Sequence, residues 1–157
     1  MVLSEWRFTK GNPHGAERGS FDDATWEQVR VPHDWGTAGP FDPDGHGGTG
    51  KLPWRGEGWY RTSFALDEAD AGKRAYLDFA GVMAFPKVYV NGALAGKWDY
   101  GYNSFRIDAS EQARVGQNVV AVHVDTRRHA SRWYPGAGLL TATADGLQAA
   151  TATLTSR

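Results

Sequence analysis

The sequence predicts an all-β fold, an antiparallel β-sandwich built around one core. Three observations carry this. Seven tryptophans and 20 glycines among 157 residues describe aromatic-rich segments interrupted by many turns, which suits strands better than helices. Apolar residues recur with the two-residue period of a half-buried strand, and almost nowhere with a helical period. Between two such segments stands Asn91-Gly92, a pair that accepts the positive φ required at both central positions of a type I′ hairpin turn.

Taken in order, Trp6-Arg7-Phe8 and Trp26–Val31 are the first candidate strands. From Pro32 to Gly58 no strand pattern is visible; the segment holds Pro32, Pro40, Pro43 and Pro53, many glycines, and Trp35 and Trp54. Loops longer than about 12–15 residues in a compact domain are usually functional or disordered, and the tryptophans favour an ordered loop that docks on something. Trp59–Leu66 alternates, with Tyr60, Thr62, Phe64 and Leu66 on one face. Arg74–Phe79 follows and is read as broken at Gly81. Lys87–Val90 and Ala93–Trp98 are the arms of the Asn-Gly hairpin. Ser104–Asp108 is a short strand, Ala109–Arg114 one helical turn, and Gly116-Gln117-Asn118 a turn. Val119–Asp125 is strongly apolar and is expected to be central. The total is roughly eight to ten strands with almost no helix, the pattern of a sandwich.

Composition narrows the function classes. This length has the prior of a single domain. Net charge is −1, with acids and bases scattered along the chain, so no nucleic-acid or anionic-membrane partner is expected. Cysteine is absent, which removes disulfides, thiolate nucleophiles and cysteine metal sites and suits a reducing compartment. Met1–Phe8 lacks the basic region and apolar core of a secretory leader. No apolar stretch approaches the roughly 20 residues that span a membrane. The expectation is a soluble, cytoplasmic chain.

No cofactor or metal is expected either. His14, His33, His46, His123 and His129 are dispersed, with no short-spaced pair. His123 alternates with apolar neighbours and is read as outward-facing. Asp42-Pro43-Asp44-Gly45 is a fragment of a calcium loop at best. The Gly45–Gly50 run lacks the strand–loop–helix context and the Gly-Lys-Ser/Thr ending of a phosphate loop.

Six motifs occur in an order that resembles the N-terminal domain of family 2 glycoside hydrolases, the β-galactosidase and β-glucuronidase group. They are Phe21-Asp22-Asp23-Ala24-Thr25-Trp26 with Val31-Pro32-His33-Asp34-Trp35, then Gly58-Trp59-Tyr60-Arg61, then Phe79-Ala80-Gly81-Val82 with Val88-Tyr89-Val90-Asn91-Gly92. Tyr100-Gly101-Tyr102-Asn103-Ser104-Phe105, Asn118–Asp125 and Ser131-Arg132-Trp133-Tyr134-Pro135-Gly136-Ala137-Gly138-Leu139 complete the series. The resemblance covers residues 4 to about 139. It implies a galactose-binding-domain-like jelly roll that packs on a later immunoglobulin-like domain and on a (β/α)₈ barrel. Some of its loops would reach the barrel's active site and help to hold the terminal sugar, a β-galactoside-like carbohydrate.

The resemblance also implies that the chemistry lies elsewhere. Retaining glycosidases need two carboxyl groups about 5–5.5 Å apart, and in this family both are glutamates of the barrel. Of Glu5, Glu17, Glu27, Glu57, Glu68 and Glu111, only Glu57 sits in the glycine-rich loop, and no second acid has a motif that places it alongside. Asp34, Asp42 and Asp44 are close in sequence, but Asp-Pro and Asp-Gly pairs more often make turns. No catalytic residue is expected, and the chain by itself is expected to be inactive.

Candidate binding residues fall in two sets. Arg132, Trp133 and Tyr134 join a guanidinium to two aromatic rings, a combination in which a ring stacks on the C–H face of a sugar while N–H donors meet its hydroxyls. The alternative is that the rings pack at an interface and Arg132 pairs with Asp125 or another acid. Asp34, Trp35, Trp54 and Arg55 form the second set, for sugar or barrel contact, with His33 and Asp34 also read as tying the loop down by hydrogen bonds. Trp6, Trp26 and Trp59 sit on strands and are read as core.

The expected organisation is a jelly roll over residues 1–139 and a terminal strand or tail over residues 140–157. After Leu139 the sequence departs from the family pattern, which continues with Tyr-Arg and a strand. A one-base shift of the reading frame near Leu140 and a tail of the chain's own both fit. Without partners, the loops from Pro32 to Gly58 and from Arg128 to Leu139 would expose aromatic surface, so self-association is expected. A stand-alone carbohydrate-binding module remains the alternative reading.

Overall fold

The period-two segments become strands, and the strands form two antiparallel sheets. The computed structural model describes residues 1–38, 43–44, 55–127 and 138–146. Among them are β1 (Val2–Leu3), β2 (Glu5–Lys10), β3 (Glu27–Arg30), β4 (His33–Asp34), β5 (Glu57–Leu66) and β6 (Ala75–Met83). There follow β7 (Lys87–Val90), β8 (Ala93–Lys97), β9 (Phe105–Asp108), β10 (Gly116–Asp125) and β11 (Gly138–Gly146). One sheet has the order β3-β2-β5-β10-β7-β8; the other runs β1-β11-β6-β9, with β4 also paired to β11. The result is an all-β jelly-roll sandwich.

Its core lies between the sheets. Trp6, Phe8, Tyr60, Phe64, Val88, Val90, Val120, Val122 and Val124 come from the six-stranded sheet, and Leu77, Phe79, Val82, Phe105, Ile107 and Leu139 from the other. As its apolar run predicts, β10 is central, flanked by β5 and β7. The hairpin is also as expected: Asn91 and Gly92 have φ of 53° and 90°, the left-handed pair of a type I′ turn. Asn91 does a second job with its side chain. Its amide donates to Asn118 Oδ1 (2.8 Å) and to the Gln112 carbonyl (2.9 Å), and its oxygen accepts from the Val119 amide (3.0 Å). Asn118, fully buried, donates in turn to the carbonyls of Arg114 and Gly116. Two asparagines from separate motifs thus satisfy the turn that leads into β10.

Two expectations change. Gly81 does not break its strand: β6 runs on to Met83, and irregular register against β11 between Leu139 and Ala142 accommodates it. Gly116-Gln117-Asn118 is already strand, paired with Leu66, Ala65 and Phe64.

The outer face of the six-stranded sheet carries a second, smaller core. Trp26, Trp59, Ala16 and Ala121 cluster there, with Phe21 and Tyr89 against them. They are covered by the connection from Gly11 to Trp26, and Arg61 holds that connection down. The Arg61 side chain is 2% exposed. Its Nε donates to Asp23 Oδ2 (2.7 Å), one terminal nitrogen to the carbonyls of Ala16 (2.6 Å) and Arg18 (3.0 Å), and the other to that of Phe21 (3.4 Å). Asp22 caps the same turn by accepting from the Ala24 amide.

Removing one partner of a buried, hydrogen-bonded ion pair costs about 3–5 kcal/mol. Arg61→Met is therefore expected to lower the unfolding free energy by about that amount in urea titrations. Asp23→Asn, at a position 29% exposed, is expected to cost clearly less. Equal effects would show that the carbonyl contacts contribute nothing.

Candidate functional site

Pro32, His33 and Asp34, shortly after β3, build one wall of the site. Val31–Pro32 is a cis peptide, and His33 and Asp34 then pair with Leu139 and Gly138 at the start of β11. The phenol of Tyr60, buried on β5, lies 2.7 Å from His33 Nδ1 and 3.4 Å from the His33 carbonyl oxygen. A backbone hydrogen bond from Leu139 reaches the same hydroxyl. Burial pushes the Tyr60 phenol far above its ordinary range, with Leu139 pulling the other way, so it stays protonated. One hydroxyl therefore fastens β4 and the head of β11 to the sandwich. No side chain fits at Gly138, where a Cβ would collide with the His33 carbonyl.

Asp34 caps the next turn. Its Oδ1 accepts from the Gly36 amide at 2.8 Å, and its carbonyl accepts from the Thr37 hydroxyl at 3.1 Å. His33 and Asp34 do tie the loop down. Trp35 then turns inward, stacked on Phe8 with centroids 5.2 Å apart, and is 1% exposed.

Beside this wall is a cleft of about 440 Å³ lined by Pro32, His33, Asp34, Met83, Gly101, Tyr102 and Gly138. Its surface is mainly apolar, with His33, Asp34 and Tyr102 as the polar residues of its lining. Tyr102 is 40% exposed and packs against Tyr100 at 5.6 Å. Nearby on the chain, Trp98 lies flat on Phe105 (5.5 Å, 9°), its Nε1 donating to Asn103 Oδ1 at 3.3 Å.

Of the expected site residues, Asp34 reaches the cleft. Trp35 does not; it is a core residue, because no face of its ring remains open to a ligand or a neighbouring domain. Arg55 is exposed just before β5 and is not among the residues lining the cleft. Trp54, Arg132, Trp133 and Tyr134 lie outside the described residues. Tyr102 and Trp98 were missed as site residues, although Tyr102 stands in a motif. Tyr102 carries a signal, an aromatic residue in a glycine-containing segment with no strand alternation to bury it, whereas Trp98 closes the expected arm Ala93–Trp98 and falls just past β8.

His123 points to the outer face, as expected, but is covered there. It is 6% exposed, 4.9 Å from the Trp59 ring and with Nε2 3.1 Å from Glu57 Oε1. Register places Asp125 directly opposite Glu57, so Glu57 does have a second acid beside it. Arg127 joins the two, at 2.9 Å from Glu57 Oε2 and 2.8 and 3.0 Å from the Asp125 oxygens. Hydrogen bonds from Arg127 hold the Asp125 carboxyl below its usual range. That is the wrong direction for a glycosidase acid, which needs a raised value. Both carboxylates are engaged by Arg127.

Comparison with known proteins agrees with this architecture. Residues 45–134 match the glycosyl hydrolase 2 galactose-binding domain-like family. The chain is 41% identical over 141 residues to the β-galactosidase BoGH2A of Bacteroides ovatus, covering 87% of this chain and 16% of that protein. It is 37% identical over 138 residues to a putative β-glucuronidase of Formosa agariphila, covering 87% of this chain and 13% of that one. A β-glycosidase from Bacteroides vulgatus superposes with a TM-score of 0.79 at 29% identity, over 93% of this chain and 20% of its own.

Two predictions follow from the wall and the His123 cluster. Tyr60→Phe leaves His33 and the Leu139 amide without a shared partner, and is expected to cost about 1–3 kcal/mol in urea unfolding. Burial also holds His33 and His123 below the ordinary imidazole value of 6.5, for His123 against the pull of Glu57. Just below that value the unfolded chain binds more protons than the folded one, so stability rises with pH there. The urea midpoint is expected to be lower at about pH 5.5 than at about pH 7.5; equal midpoints would contradict the burial of these imidazoles.

Proposed function

Because this chain belongs to the glycosyl hydrolase 2 galactose-binding domain-like family, we propose that it is the non-catalytic domain of a β-glycosidase, supporting a catalytic barrel and contributing loop residues to its sugar subsite. The observation that carries this is the asymmetry of coverage. The β-galactosidase of Bacteroides ovatus and the putative β-glucuronidase of Formosa agariphila each match 87% of the chain, yet the chain spans only 16% and 13% of their lengths. Similarity to a β-galactosidase at 41% identity favours a β-galactoside as the sugar. In this reading the cleft beside Asp34 and Tyr102 faces the barrel, with Asp34 accepting from sugar hydroxyls and Tyr102 offering a ring face. Arg132, Trp133 and Tyr134 remain candidates for sugar or barrel contact.

A stand-alone carbohydrate-binding module is the second reading. It is favoured by Trp98, whose indole is fixed by Phe105 and Asn103 while the residue stays 36% exposed, the state of a preformed stacking platform.

The test is to incubate the purified chain with fluorogenic β-galactosides, β-glucuronides and β-mannosides, and then to titrate it with methyl β-galactoside. No turnover is expected. Turnover abolished by Glu57→Gln would overturn the non-catalytic reading. Galactoside binding by the chain alone, seen at the Trp98 indole, would favour the module; its absence would favour a subsite completed by the barrel.

A further inference from the structure

The register of the six-stranded sheet sets Lys97 of β8 opposite Lys87 of β7, and Lys87 opposite His123 of β10. Like charges directly opposite on neighbouring strands repel. Both lysines are exposed, and neither has a carboxylate within ion-pair distance among the described residues. They line a cleft of about 330 Å³ together with Phe85 and Asp99. The other charges of this cleft are engaged: Glu57 and Asp125 hold Arg127, and Glu57 also meets His123. What stays open is a pair of ammonium groups and one carboxylate.

We propose that this cleft binds an acidic sugar, with Lys87 and Lys97 as counter-ions to its carboxylate or sulfate. Two donors of like sign held side by side form charge-assisted hydrogen bonds to one anionic group, and the anion removes the repulsion between them. Asp99 accepts from ring hydroxyls, and Phe85 supplies an apolar wall for the C–H face. Residues of the cleft beside Asp34 and of this one lie close together along the chain. Met83 lines the first, while Phe85 and Pro86, the next residues along, line the second. Lys97 and Asp99 likewise lead directly into Gly101 and Tyr102. The inference rests on the reading that this end of the sandwich meets carbohydrate.

The experiment is a titration of the 157-residue chain, followed by amide chemical shifts. The probes are methyl β-glucuronide, a sulfated methyl β-galactoside, methyl β-galactoside and inorganic sulfate. The two acidic sugars are expected to shift Lys87, Lys97 and Asp99, and to bind more weakly as salt is added. Lys87→Gln with Lys97→Gln is expected to lose on the order of tenfold in affinity. That double variant removes a like-charge pair and is expected to unfold at no lower temperature than the parent. Undiminished binding by the double variant, or equal affinity of this cleft for neutral galactoside, would overturn the proposal. Inorganic sulfate binding as tightly as the sulfated sugar would also overturn it, leaving an oxyanion site with no sugar recognition. Shifts at Lys87 and Lys97 without shifts at Asp34 and Tyr102 would count against the Asp34 subsite alone; the reverse pattern would count against this cleft alone.

Discussion

The Arg61 guanidinium is almost wholly withdrawn from water, and it stays charged there because Asp23 and three backbone carbonyls surround it. A buried cation without such partners would carry a desolvation cost of several kcal/mol. The constraint works in both directions. The connection from Gly11 to Trp26 has no strand of its own, so Arg61 supplies the partners its carbonyls would otherwise lack. With that connection in place, Trp26 and Trp59 are covered and the six-stranded sheet is buried on both faces near β5. Remove the guanidinium and the second core loses its lid.

Seen this way, the motifs are sets of residues with separate structural duties. In Gly58-Trp59-Tyr60-Arg61, the glycine leaves room for the Phe8 and Trp35 rings, which a Cβ would crowd at 3.0–3.1 Å. Trp59 packs outward into the second core and Tyr60 inward under His33, while Arg61 clamps the covering loop. In His33-Asp34-Trp35, the imidazole meets the Tyr60 hydroxyl, the carboxylate caps a turn and the indole enters the main core. Alternation along β5 sends neighbours to opposite faces, which lets four consecutive residues serve two cores and one loop. The same economy places the candidate site: the cleft wall is rigid because the residues that shape it are fastened to β5.

Much of this was legible beforehand, and the misses have common causes. The hairpin at Asn91-Gly92 and the central position of Val119–Asp125 rest on local chemistry, namely tolerance of positive φ and a continuous apolar run. Asp34 as a loop-tying residue is equally local, since an Asp before a turn caps it. Trp35 was read as a contact residue because its neighbours are proline and glycine, which mark a loop; its burial depends on Phe8, far away in sequence. His123 was read as outward because its strand alternates, yet the outer face of that strand is itself covered beside Trp59.

The sequence by itself determined the fold class, the main strands, the key hairpin and the family, because period-two patterning, turn residues and motif order are properties of adjacent residues. Tertiary structure alone decided which side chains share a site. The pairing of β10, β7 and β8 brings His123, Lys87 and Lys97 into one row, and the pairing of β5 with β10 brings Glu57 to His123 from 66 residues away. A strand's own sequence carries its period but not its partner's register, and a shift of one residue would send each of these charges to the opposite face. The clefts beside Asp34 and beside Lys87 therefore exist only once the sheets have closed.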